Sequence, residues 1–385
     1  MAGNFFTVPV QVIEEIASQT QFVDAVLGYL VLRKSAQGGK ELCTAGAPSI
    51  AKSLGVTRYK ADEILKLLRS VKWGDGPEDC VITTPETWNK ATGDKVPEII
   101  RRYPVKVLPA CGEEQIALPN TFVDGLEGYE EYSPVRQLRE LDPKADRLDV
   151  VRLLLKLYQH QSLVDYGGVD PKVIYRGWQD QGSVSPGYQE HFARPVALGY
   201  LGGDFSAGDN LHYWLAQPRE GCQASPSLLL HIGGTEARFW KLLGHLQKLR
   251  LFYEVAVVFD ADPLQSLSAE PCYPLYTFDR QAREEQAELG LGGLALKIQD
   301  YAAETGFLRR KHLEDLPAAI DLHTKEPVAG LFLFAAPNQT ARLITILRLR
   351  FRAHTQDTGE GIERERGKIE KWTRCFSTPA RRMAV

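Results

Sequence analysis

The sequence predicts an α+β fold, mainly helical with short antiparallel strands, and three observations carry that prediction. Ser49 to Val71 reads SIAKSLGVTRYKADEILKLLRSV, two helix-periodic segments divided by a glycine. Asp79 to Thr84 alternates apolar and polar residues as a strand does, after the turn-forming Gly74-Asp75-Gly76-Pro77. The third is a recurrence. Phe6 to Ile16 (FTVPVQVIEEI) and Ile116 to Leu126 (IALPNTFVDGL) each run from a short strand through a proline into an apolar helical turn.

Taken in order, the first strand and helix lead to Phe22–Lys34, an apolar helix expected to end at Gly38-Gly39-Lys40. The next helix turns Ile50, Ala51 and Leu54 inward. Gly55 supplies the positive φ that ends it, and Val56 fills the gap before the following helix. Thr57 caps that helix, which buries Ala61, Ile64, Leu65 and Leu68 at helical spacing. Its other face carries Thr57, Arg58, Tyr59, Lys60, Glu63 and Lys66. This pattern resembles the winged helix-turn-helix superfamily over residues 5–85. The resemblance implies that Asp79–Thr84 belongs to the wing hairpin, and that the exposed set enters a DNA major groove with Arg58 as the leading base reader.

The recurrence implies a second, diverged winged helix, so that the whole is a tandem pair. Arg147–Gln159 stands where Phe22–Lys34 stands in the first copy. Thr235–Leu249 puts Phe239, Leu242, Leu243, Leu246 and Leu249 on one face and offers Arg238, Lys241, His245 and Lys248 outward as DNA contacts. Strands over Phe252–Asp260 and Tyr273–Asp279 complete the copy. The expected organisation is a first domain over 1–90, a connector over 91–112, a second domain over 113–280 with an irregular insertion near 175–230, and a helical, Arg-rich region over 281–385. In the connector, Arg101 and Arg102 are candidates for tracking a phosphate backbone. Leu331–Ala335 reads as a buried strand. Leu343, Ile344, Leu347 and Phe351 suggest a helix with one apolar seam beside Arg348 and Arg352, an element for homo-oligomer assembly or phosphate contact, and 357–370 a helix formed on association. Truncation near Pro109 is expected to leave a folded first domain, and two reading domains to protect more than one turn of DNA.

Composition narrows the classes. A chain of 385 residues with 44% hydrophobic content can build two cored domains. No window reaches the ~18 apolar residues of a membrane helix and the start lacks a signal peptide, so a cytoplasmic protein without membrane partners is expected. The six scattered cysteines form no Cys-x-x-Cys pair. The net charge of −3 argues against a non-specific DNA coater, yet Thr57–Lys72 holds five bases against two acids. Asp260-Ala261-Asp262 reads as a turn, the histidines lack ligand spacing, and Leu289–Gly293 lacks the lysine of a phosphate loop, so no cofactor, metal or catalytic residue is expected. The expected function is sequence-specific binding of double-stranded DNA, as a transcription regulator or a replication initiator of a mobile element. Left open are an architectural protein whose winged helices bind proteins and an enzyme with its site in the insertion.

Overall fold

The computed structural model describes residues 5–36, 42–73, 80–83, 105–107, 114–126, 128–129, 132–163, 168–174, 178–179, 193–197, 215–218, 234–259, 266, 269, 271–274, 319–320, 327–328, 331–335 and 342–377. Its architecture is α+β. Contacts divide it into two compact units. The first comprises 1–161, 226–252 and 349–356, and the second 162–225, 253–348 and 357–385.

In the first unit, β1 (Phe5–Pro9) passes straight into α1 (Val10–Thr20), with Pro9 at its N-cap. Gln21 ends α1 in the left-handed region, and its amide donates to the Ala17 carbonyl. Next comes α2 (Val23–Ser35), buried almost all round, as the apolar run Ala25–Leu32 requires. Then follow β2 (Leu42–Cys43), α3 (Ala47–Leu54), α4 (Arg58–Ser70), β3 (Ile82–Thr83) and β4 (Val105–Val107). The three strands form one antiparallel sheet in the order β2-β4-β3. Lys72 bridges Cys80, and the Val81 amide donates to Val71 at 3.1 Å, so the chain doubles back after α4. Gly28 lets α2 and α4 approach closely, because a Cβ there would stand 2.6 Å from Ile64 Cγ2.

The same unit continues with β5 (Gln115–Pro119), the single turn α5 (Thr121–Asp124), α6 (Pro134–Glu140), α7 (Arg147–Gln159) and α8 (Glu236–Lys248). Strands β1 and β5 pair antiparallel with Phe6 opposite Leu118, Thr7 opposite Ala117 and Val8 opposite Ile116. In the alignment of the two strand-proline segments, Thr7 and Ala117 are counterparts. Their pairing therefore lies on a local two-fold axis, which exchanges Phe6 with Ile116 and Val8 with Leu118. The later helices keep the correspondence. Buried Asp24 of α2 matches Asp149 of α7, while Ala61, Ile64, Leu65 and Leu68 of α4 match Phe239, Leu242, Leu243 and Leu246 of α8, all eight buried. Both helices are capped alike, Thr57 accepting from the Lys60 amide and Thr235 from the Arg238 amide. α4 packs on α2 and α8 packs on α7.

These connections bear on the expected segments. Strand β4 draws part of 91–112 into a sheet, and the β1–β5 ladder joins residues on either side of that stretch. Glu14 of α1 also takes Arg152 of α7, Nη2 to Oε2 2.7 Å.

The second unit holds a five-stranded sheet in the order β10-β9-β14-β8-β6, built from β6 (Trp178–Gln179), β8 (Leu215–Pro218), β9 (Phe252–Phe259), β10 (Pro271–Pro274) and β14 (Arg342–Leu349). Two separate antiparallel ladders, β11 (Ala319–Ile320) with β12 (Pro327–Val328) and β7 (Ala193–Ala197) with β13 (Leu331–Ala335), belong to the same unit. β9 and β13 fall where strands were expected, whereas β10 meets the expected Tyr273–Asp279 only at Tyr273 and Pro274, the rest of that segment lying outside the described residues. The Arg342–Leu349 segment does not follow expectation: it is a strand, not a helix with one apolar seam. Ile344, Thr345 and Ile346 are β-branched, and Ile346, Leu347, Arg348 and Leu349 are buried in succession, as in a strand covered on both faces. Residues 356–377 form α9 (Gln356–Ser377), covering the expected tail helix. Gly38–Lys40, Gly74–Pro77, Asp260–Asp262 and Leu289–Gly293 lie outside the described residues.

Candidate nucleic-acid interface

The best-defined candidate surface is α4 with the turn before it. Gly55 closes α3 at φ 66°, ψ 37°, and its amide and that of Val56 both donate to the Ala51 carbonyl. A residue with a Cβ resists this left-handed conformation. Thr57 Oγ1 then takes the Lys60 amide at 3.3 Å and starts α4. With Ala61, Ile64, Leu65 and Leu68 buried, the opposite face has to meet solvent.

On that face Arg58 and Lys66 are exposed, and Tyr59 is 74% exposed, the most open large apolar side chain described. Arg58 Nε lies 3.7 Å from Asp62 Oδ2, one turn on, a loose pair in water that leaves the guanidinium free to take a better partner. Lys60 is held more firmly. Its ammonium donates to Glu63 Oε2 at 3.0 Å and sits 4.9 Å over the Phe22 ring. Its hydrogen bond to Glu63 also keeps the Glu63 carboxyl below the ordinary range. Lys60 and Glu63 thus form a local pair at the edge of the face, which the Tyr59 hydroxyl also joins through Glu63, while Arg58, the Tyr59 ring and Lys66 stay exposed.

The turn is clasped from outside. Arg136 of α6 donates from Nε to the Ser53 carbonyl at 3.1 Å and from Nη2 to Lys52 at 2.5 Å. Arg139, one turn on, donates from Nη1 to Leu54 at 3.4 Å and sets Nε 3.3 Å from Asp24 Oδ1. Every carbonyl in the last turn of α3 therefore has a partner: Ala51 from the backbone, the next three from two guanidinium groups. Neither arginine stood out in the sequence. The only signal there was two arginines three apart on a short helix, a spacing shared by most surface helices.

The corresponding face of α8 is occupied differently. Arg238 pairs with Asp149, which raises the guanidinium's hold on its proton. Lys241 Nζ lies 2.7 Å from Asp146 Oδ2, and His245 Nε2 is 3.2 Å from the same oxygen. Asp146 sits in the 3-10 turn Lys144–Asp146 before α7, and Lys241 first, then His245, hold its carboxyl below the usual range against the opposing effect of burial. His245 is itself buried. Three of the four α8 groups expected to face DNA are thus turned onto acids of α7 and its approach, whereas Lys248 is exposed. Arg101 and Arg102 lie outside the described residues.

Burial pushes the Cys43 thiol up to about 11, which makes it a poor nucleophile. Among the described residues no His, Cys, Asp or Glu cluster could hold a metal, and no helix is long and apolar enough to cross a membrane. No family model, no curated protein and no solved structure matches this chain.

Proposed function

We propose that the chain is a sequence-specific DNA-binding protein built as a tandem, diverged pair of winged helices. Its role is that of a transcription regulator or a replication initiator of a mobile element. The reading helix is α4. One observation carries the proposal: a capped helix after a left-handed glycine turn, apolar on its buried face, presents Arg58, Tyr59 and Lys66 from an open one. Arg58 and Tyr59 occupy the first turn, where a recognition helix meets base edges, and Lys66 lies two turns on, at backbone distance. A guanidinium can bond two acceptors of a guanine, a tyrosine ring can contact a thymine methyl, and an ammonium can meet a phosphate.

The test is selection of a preferred site from a random duplex pool, followed by titration of variants against it. Arg58→Ala is expected to cost about 1–3 kcal/mol and to relax preference at one base position. Lys66→Ala should weaken all duplexes alike and reduce the salt slope by about 1. Enrichment of no sequence, together with salt-insensitive association, would remove the DNA reading. That outcome would favour a protein partner, for which exposed Leu126, Tyr129 and Tyr132 offer an apolar surface.

A further inference from the structure

We infer that Arg136 and Arg139 are positioning residues for α4, so that DNA reading by the first copy depends on a clasp supplied by the second. This rests on the proposed reading role of α4. The first copy ends α3 with three carbonyls that its own backbone does not satisfy, those of Lys52, Ser53 and Leu54. All three are taken by side chains of α6, a helix that lies beyond β5 and so in the second copy.

The geometry makes the clasp directional. Arg136 bonds two successive carbonyls with adjacent nitrogens of one rigid fork, and this fixes the end of α3 in angle as well as distance. The guanidinium also lies against Gly55: a Cβ built there would be 3.6 Å from Arg136 Nε and 3.8 Å from its Cζ. Gly55 and Val56 are the hinge from which α4 departs. Arg139 adds a second anchor, because it bonds the Leu54 carbonyl while pairing with Asp24, a buried carboxylate of α2. Through Arg139 the end of α3 is tied to the helix on which α4 packs. Arg58 and Tyr59 sit immediately past that hinge, so a small rotation at Gly55 displaces both.

The consequence is separable from direct DNA contact. A side chain that touches phosphate contributes to the salt slope, whereas one that only orients the reader changes affinity without changing it. Arg136→Ala in the full chain is therefore expected to lower affinity for the selected site about tenfold, the factor associated with losing one charge-assisted bond, at unchanged salt slope. Backbone amides from Gly55 to Lys60 should exchange faster in this variant, with those of α7 unchanged. Arg136→Lys, which keeps the charge but not the fork, should recover less than half of the loss.

Amide exchange reports on the clasp even if no duplex binds. Unchanged protection of Gly55–Lys60 in Arg136→Ala would overturn the inference whatever the fate of the DNA reading. A reduced salt slope, or full recovery by Arg136→Lys, would also overturn it, by making Arg136 a charge that contacts phosphate. Faster exchange at the turn in a protein that binds no DNA would sustain the clasp and remove only the function proposed for α4.

Discussion

At the scale of single residues, Gly28 shows how a position with no side chain can set the geometry of the interface. It is a helix-interior glycine on α2, where alanine would gain about 1 kcal/mol of helix propensity. Against that gain stands the 2.6 Å separation between a methyl added at this position and Ile64 Cγ2, a branch fixed at Cβ that cannot swing away. Overpacking of this kind costs about 1–3 kcal/mol. Gly28→Ala is therefore expected to destabilise the protein by about 1 kcal/mol in denaturant unfolding, because the packing term exceeds the propensity term. Ile64→Leu moves the branch off Cβ, so Gly28→Ala made in that background should be neutral or stabilising. An additive double-mutant cycle would show that the approach of α2 to α4 is not limited here. The two glycines also differ in legibility. Gly55 could be read from the chain because its neighbours form the helix-turn-helix pattern. The need for Gly28 comes from Ile64 on another helix, and no local window contains both.

At the scale of elements, α4 and α8 share a cap and an apolar register, and charge distinguishes them. Lys60 of α4 corresponds to Arg238 of α8, and Glu63 to Lys241. In α4 the lysine and glutamate neutralise one another, whereas in α8 both cations reach acids, Asp149 of α7 and Asp146 just before it. A helical wheel places Arg238, Lys241 and His245 off the apolar stripe, so the sequence suggested an outward basic face. It could not show Asp146 and Asp149, which are distant in the chain. The same locality explains Arg342–Leu349: its apolar positions satisfy both a helical and an extended period, and sheet neighbours decide between them. The α8 pairs predict a pH dependence. Lys241 and His245 depress the Asp146 pKa in the folded protein, so the carboxylate adds stability above its unfolded value of about 3.9. That contribution fades as pH falls through the lower folded value. Asp146→Asn should lower the thermal midpoint by several degrees at neutral pH and converge with the wild type in acid. A gap that stayed constant into acid would mean that Asp146 acts by shape or hydrogen bonding and not by charge.

At the scale of the molecule, the pairing of β1 with β5, Thr7 opposite Ala117, joins the segments on either side of 91–112 within one compact unit. Each side supplies one strand of the β1–β5 pair, and a lone strand would leave its ladder groups without partners. Across the same boundary Glu14 pairs with Arg152, Lys34 with Asp124, and α6 caps α3. The sequence suggested a first domain that folds independently, since the pairing of distant strands depends on register and not on composition. Val8, Ile13 and Ile16 are buried in the intact unit, and each buried aliphatic side chain is worth about 1.5–3 kcal/mol. Set against a domain stability of about 5–15 kcal/mol, uncovering even part of this surface is enough to unfold the remainder. A fragment ending at Gly112, which lacks β5, α6 and α7, is thus expected to melt without a cooperative transition and to show little protection of α2 amides from exchange. A fragment of 1–112 with a sharp transition near that of the full chain would show that the copies fold independently and that the β1–β5 pairing joins finished domains.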